Sequence, residues 1–399
     1  MKLKDACIDI WDCPHTTAND EGEGYPLIRT PNIGKGRFIL SGVHRVCEDV
    51  YNIRNKRAIP QDNDLIFARE APAGNVAIIK NGQKFCLGQR TVLIRPDENK
   101  VNPDFLTYFL LAPEQQHSLL KTANGSTSSH VNMKTIRELQ IDLPAREFQD
   151  KTAQILCDYD ELIELNHRKV NVLEKMAMRI YREWFVHFRF PGHESCKFEN
   201  GHLIGWKKED AQHFFDISIG KTPPRKESQW FAKESCGIPW LSISDMKDGC
   251  FVFSSSEDLT EDAISKHNIV VVDENTILLS FKLTIGRVSI TAVPMCTNEA
   301  IAHFKSDEPY KREYCYCYLK DFSYETLGST SSIANAINSK TVKKMPFVLP
   351  PIEILKSFSE ITRPIFDEVK ALQRSVITLQ QMRDRLLPQL MSGQFDLSC

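Results

Sequence analysis

From Ile155 the residues Ile155, Tyr159, Leu162, Asn166, Lys169, Leu173, Met176 and Ile180 recur in steps of four and three. Such steps draw one stripe along an α-helix, the seam of a coiled coil with two polar positions in its middle. A second stripe, Phe358, Ile361, Ile365, Val369, Leu372, Val376, Leu379, Met382 and Leu386, keeps the same rhythm. Elsewhere the apolar runs are short. Leu65 to Phe67 with Val76 to Ile79, and Ile277 to Leu279 with Val288 to Ile290, bracket a glycine turn and read as hairpin strands. FLTYFLLAPEQQHSLL (105–120) is helical by spacing, whereas Cys315 and Cys317, alternating with Tyr314, Tyr316 and Tyr318, fit one face of a strand better than a metal site. The expected class is α+β with two long helices.

The elements occur twice in the same order. YPLIRTPNI (25–33), DLIFAREAPAGNVAII (64–79), KFCLGQRTVLIRPD (84–97), GSTSS (125–129) and MKTIRELQIDLPAREFQ (133–149) precede the first long helix. IPWLSISDM (238–246), TILLSFKLTIGRVSIT (276–291), PMCTNEAIAHFKSD (294–307), GSTSS (328–332) and SKTVKKMPFVLPPIEIL (339–355) precede the second. Pro26 pairs with Pro239, Gly74 with Gly286, Cys86 with Cys296, Ser126 with Ser329 and Pro144 with Pro350, at offsets between 203 and 213. A period of about 200 residues is far above that of solenoids, so the repeated unit is a domain plus a helix.

The expected organisation is a globular domain at 1–147, a helix at 148–190, a linker at 191–199, a second globular domain at 200–350 and a second helix at 351–399. Neither helix can bury its stripe alone. One possibility is that each packs on its own domain; the repeat favours antiparallel pairing about a pseudo-twofold axis, with Asn166 and Lys169 fixing the register. At 1.5 Å per residue a helix of about 35 residues spans roughly 50 Å, enough to act as a spacer.

Composition adds limits. The chain has 399 residues, 50 Lys and Arg against 52 Asp and Glu, 42 % hydrophobic residues and 26 % charged ones, so it is an ordinary globular protein with no global basic field. The opening MKLKDACIDIWDCP lacks the apolar core of a secretory signal, and no apolar run reaches membrane-spanning length, which predicts a cytoplasmic protein. Twelve scattered cysteines then read as reduced thiols.

Two similar ends on a spacer suit a long periodic ligand, and duplex DNA is the commonest one. Because the copies differ in most residues, the halves of the site should differ too. In the first copy Arg29, Lys35, Arg37, Arg45, Arg54, Lys56, Arg57 and Arg69 fall among turns; in the second, GKTPPRK offers Lys221, Thr222 and Arg225, and Lys282 and Arg287 flank the repeated glycine turn. These side chains suit base edges and phosphates, or are solvated surface charges. Ser126, Thr127, Ser329 and Thr330 of the two GSTSS loops either hydrogen-bond phosphates or form serine turns.

These residues resemble the specificity subunit of type I restriction-modification enzymes over nearly the whole chain. GKTPPR followed by IPWLSISDM (220–246) looks like the opening of a target recognition domain. LPAREFQ and LPPIEIL look like spacer-helix entries, and MAMRIYREWFVHF (176–188) and RLLPQLMSGQF (385–395) are similar to the family's helix endings. One departure is Leu355, which stands where the first copy has Gln149. The resemblance implies a non-catalytic subunit in which each recognition domain reads half of an asymmetric bipartite DNA site. The helices would hold the domains apart and dock two methyltransferase subunits; Ile155, Leu162, Leu173, Met176, Ile180, Ile365, Leu372, Leu379 and Leu386 are the residues expected to pair the helices and dock the partners. Restriction subunits complete the complex. S-adenosylmethionine, ATP and Mg would belong to the partner subunits, with no cofactor or metal on this chain.

The residues agree with that division of labour. An adenine methyltransferase needs Asn or Asp before Pro-Pro-aromatic, yet Thr222 and Leu349 precede the two Pro-Pro pairs. Gly220, Lys221 and Thr222 mimic the end of a phosphate-binding loop, but Phe215 replaces its first glycine and two prolines follow. Asp97, Glu98 and Lys100 form a charged turn rather than a nuclease motif, and His193, Cys196 and His202 match no zinc spacing. The rival classes are a stand-alone DNA methyltransferase or nuclease and a coiled-coil scaffold that never touches DNA.

Overall fold

The computed structural model describes residues 1–121, 130–196, 198–199, 202–232, 236–246, 249–327 and 337–392. The chain divides into two units, Met1–Leu162 with Leu379–Cys399, and Ile163–Thr378. Both long helices, Arg146–Tyr181 and Ile352–Met391, contribute residues to both units.

In the first unit a four-stranded antiparallel sheet runs in the order Cys7–Asp12, Thr91–Pro96, Leu65–Ala68, Val76–Ile78. Leu65 faces Ile78 and Phe67 faces Val76, so the expected hairpin forms around Gly74. Leu65 to Ala68 are all buried, because both sheet faces are covered and the run is apolar throughout instead of alternating. The helices Pro103–Leu111 and Pro113–Lys121 cover one face. Asn102 caps the first of them by accepting from the Phe105 amide, and Pro103 stands at N1, where no amide donor is needed.

The second unit repeats this order. Asp216–Ile219, Ile301–Lys305, Ile277–Ser280 and Val288–Thr291 lie side by side, with Phe251–Val252 added in parallel at the edge. The repeated anchors are partners in space. The strand after Pro26 pairs in parallel with the one at Cys86 (Leu27 facing Cys86), and the strand after Pro239 does so at Cys296 (Trp240 facing Cys296). Burial pushes the two thiols up, to about 11 for Cys86 and about 12 for Cys296, as suits core cysteines without nucleophilic work.

Within each unit the two helices run antiparallel. In the second, Asn166 Nδ2 donates to Ser375 Oγ at 3.2 Å and the Trp184 ring lies 5.8 Å from Phe358, so numbers rise on one helix as they fall on the other. In the first, Arg383 pairs with Asp160, and Leu156 shares a cluster with Leu387 and Leu390.

The seam is one residue out of phase with the expected stripe. Leu156, Asp160, Ile163, Asn166, Val170, Ala177 and Tyr181 are buried, whereas Leu162 and Met176 are 49 % and 47 % exposed. Ile155, Leu173 and Ile180 are half-buried at the margin. On the second helix Phe358, Val369, Leu372 and Val376 are buried as expected; Ile365, Leu379 and Leu386 are half-buried, and Ile361 and Met382 are exposed. The first helix carries two adjacent apolar rows of the same period, and the row that meets the facing helix is the one buried.

Two local expectations are corrected. Cys315 and Cys317 sit with their tyrosines on an α-helix, Arg312–Asp321, not on a strand. Tyr314 to Cys317 are all buried, so a helix covered on every side has no polar face to reveal its period. The 191–199 segment is also more than a linker: it contains a short helical turn, His193–Ser195, and the strand Phe198–Glu199, which pairs with His202–Leu203. Where the first copy uses Gln149 to bridge the Pro144 carbonyl and the Asn102 amide at 2.9 Å each, Leu355 instead fills the core of the second unit.

Candidate nucleic-acid interface

In the second unit the strand Asp216–Ile219 delivers the chain to Gly220, where a Cβ would come within 2.1 Å of Thr297 Oγ1 and 2.2 Å of the Asn298 carbonyl. Glycine is required by this close approach. Lys221 follows, its amide donating to the Thr297 carbonyl and its own carbonyl accepting from Trp240 Nε1 at 3.0 Å. The GKTPPRK run is thereby fixed on the strand that carries Trp240.

Arg225 stacks its guanidinium over Trp240 at 4.4 Å and Phe231 at 4.9 Å, while Nη1 donates to both Glu257 oxygens at 2.8 and 2.7 Å. Stacking and ion pairing preset the rotamer of an exposed arginine. The Thr222 hydroxyl donates to Glu299. Partial burial pushes the Glu299 carboxyl up, but the Thr222 hydroxyl, its own backbone amide and the charges of Lys282 and Arg225 outweigh that and hold it below the usual range. Glu299 thus accepts from Thr222 and feels the charges of Lys282 and Arg225.

Lys282 stands in the hairpin loop with its Nζ 5.7 Å from the Phe281 ring, and Arg287 at the far side of that loop donates to the Ile243 carbonyl at 2.8 Å. The Ile243 turn is held by Asp245, whose carboxylate accepts from the Ser242 amide and hydroxyl at 2.9 and 2.7 Å. Five separated stretches therefore meet: 220–226, 242–246, 257, 281–287 and 299. Of the residues chosen from sequence in this copy, Thr222 is held by Glu299, Arg225 by Glu257 and Arg287 by the Ile243 carbonyl, and the two carboxylates had no signal in the residue pattern.

The cations chosen in the first unit are placed differently. Arg69, expected at the surface, is buried: Nε donates to the Val131 carbonyl at 3.0 Å, Nη1 to Asp12 at 2.9 Å, and Nη2 lies 2.7 Å from His130 Nε2. Arg54 is likewise buried, donating to the Leu87 carbonyl and to Thr16. Both are braces, because a buried guanidinium must spend its donors internally. Lys35 is exposed, and Arg29 and Arg37 are half-buried. Arg90 pairs with Glu70 at 2.7 Å, and Glu70 also meets His130 Nδ1 at 2.6 Å. Ser126, Thr127, Ser329 and Thr330 lie outside the described residues.

A cleft of about 450 Å³ in the second unit is lined by Asp273, Glu274, Asp307, Glu308 and Asp367 together with Arg312 and Arg363. It shares no residue with the loops above, and its acidic lining disfavours a phosphate backbone. Among the described residues no group of His, Cys, Asp and Glu is placed to hold a metal ion, and no helix is long and apolar enough to cross a membrane.

A pair of like-built domains, each offering polar loops around a small parallel bridge and each attached to an antiparallel helix pair, defines a class of tandem recognition protein. The family model of the type I restriction modification DNA specificity domain matches residues 1–175 and again 204–379, and the chain belongs to that family. The MjaIX specificity subunit of Methanocaldococcus jannaschii is 25 % identical over 369 residues, covering 90 % of this chain and 83 % of the relative. The HindI specificity subunit of Haemophilus influenzae is 22 % identical, covering 93 % and 95 %. The crystal structure of the type I restriction-modification S subunit from M. genitalium has the same fold, with a TM-score of 0.57 at 14 % identity, covering 98 % of this chain and 95 % of that one. The chain is a type I specificity protein concerned with DNA sequence recognition.

Proposed function

We propose that each recognition domain reads one half of an asymmetric bipartite site in duplex DNA, that the helix pair sets the gap between the halves, and that the same helices dock two methyltransferase subunits. The observation that carries this is one loop frame with two contents. Gly74 donates to the Ala68 carbonyl at 2.9 Å in the first copy and Gly286 to the Ser280 carbonyl at 3.0 Å in the second, yet the loops between read Glu70-Ala71-Pro72 and Lys282-Leu283-Thr284. Equal frames with unequal tips suit two different half-sites.

The exposed apolar residues Leu162, Leu165, Val172 and Met176 on one helix and Ile361 and Met382 on the other are the surface offered to the methyltransferase subunits. The chain itself supplies no catalytic group; S-adenosylmethionine, ATP and Mg act in the methyltransferase and restriction subunits, in the cytoplasm. Exchanging residues 200–350 for those of another family member and mapping methylated adenines across the genome tests the assignment. One half-site changes and the other persists. Loss of both, or methylation by the purified chain alone, overturns it in favour of a stand-alone enzyme; no sequence preference at any salt concentration favours a scaffold.

A further inference from the structure

Leu283 stands at the tip of the hairpin between Ile277–Ser280 and Val288–Thr291, 88 % exposed and at φ +58°. A lone exposed leucine needs no explanation. One held in the left-handed region does, since the side chain crowds its own backbone there and burial does not compensate. The loop around it is held by its own hydrogen bonds and packing. Ser280 Oγ donates to the Thr284 carbonyl at 2.6 Å and accepts from the Arg287 amide at 3.0 Å. Gly286, at φ +86°, packs on the Tyr324 ring, where a Cβ would come within 3.0 Å. This frame presents Leu283 to solvent.

The surroundings specify what it meets. Lys282 beside it and Arg225 bear on Glu299, and Glu257 holds Arg225. Lysine and arginine suit phosphate and guanine; carboxylates accept from the amino groups of cytosine and adenine, which lie in the major groove, and are repelled by the phosphates that crowd the narrow minor groove. The apolar group presented by a base pair on the major-groove side is the thymine 5-methyl. In the first copy the same position holds Ala71, also exposed and at φ +27°, a side chain too short for the same reach.

We propose that Leu283 is a specificity-determining residue of the second recognition domain, packing against the 5-methyl group of a thymine in that domain's half-site. This rests on the DNA-reading function above. The test uses the chain assembled with its methyltransferase subunits and duplexes carrying the mapped site, with each thymine of the second half-site replaced in turn by deoxyuridine, which removes only the methyl. Wild type loses about fourfold in affinity at one thymine, the worth of one buried methyl group. Leu283→Ala binds the unmodified site correspondingly more weakly and is indifferent to that replacement, with first-half-site selection and thermal stability unchanged. Equal sensitivity of wild type and Leu283→Ala, silence at every thymine, or a second half-site without thymine overturns the role of Leu283 while leaving DNA reading intact. Failure of the wild-type complex to prefer any duplex overturns both.

Discussion

Tyr108 Oη donates a 2.7 Å hydrogen bond to Asp160 Oδ2, and the other oxygen of that carboxylate receives Arg383 Nη1 at 2.5 Å. One buried carboxylate thus joins the helix of the first recognition domain to both long helices within the first unit. Burial and the adjacent Asp160 charge push the Tyr108 hydroxyl far above its ordinary value, so it remains a donor at every physiological pH.

Removing either end of this triad has unequal costs. Arg383→Ala leaves Asp160 buried and without its cation, with an expected loss of about 3–5 kcal/mol. Tyr108→Phe removes one hydrogen bond to a charged acceptor and costs about 1.5–3 kcal/mol. Denaturant unfolding measures both; an Arg383→Ala chain as stable as wild type would show that the pair carries no load.

A pH dependence follows from His303 in the second unit, which is fully buried with Nδ1 2.9 Å from Ser218 Oγ and Nε2 2.7 Å from Thr297 Oγ1. Burial lowers its pKa to about 4. The unfolded chain, with an imidazole near 6.5, binds the proton more readily, so the contribution is complete above about pH 6.5 and is lost as pH falls toward 4. At about 1.4 kcal/mol per pH unit the loss approaches 3 kcal/mol. His303→Gln should flatten this part of the stability profile between pH 7 and 4.5; a profile identical to wild type would contradict it.

The two apolar rows of the first long helix should separate stability from assembly. Leu156→Ala, in the seam, costs about 2–5 kcal/mol. Leu162→Asp and Met176→Asp, outside it, alter stability by no more than about 0.5 kcal/mol yet weaken capture of the methyltransferase subunit at least tenfold. Unfolding midpoints and co-purification read the two effects independently.

The helix pair as a spacer makes a length prediction. Because the helices are antiparallel, seven residues must leave both to preserve register, for example one heptad from 163–169 and the facing one from the second helix. Both half-sites should persist with a gap shortened by roughly 10 Å, about three base pairs. Methylation mapping with an unchanged gap would remove the spacer role.

The duplication, the hairpins around Gly74 and Gly286, the core cysteines and the two long helices were all legible in the residues, because each is a local pattern or a comparison of the chain with itself. The phase of the helix seam was not. Rows at Leu162 and at Ile163 have the same period, and only the surface facing them decides which is buried. The same limit governs charge: Arg69 and Arg225 look alike in sequence, but Asp12, His130 and the Val131 carbonyl enclose one, while Trp240 and Glu257 display the other. Periodicity determines that a side chain has neighbours on one side, and tertiary packing alone determines which neighbours meet a charge, satisfy it or leave it turned outward.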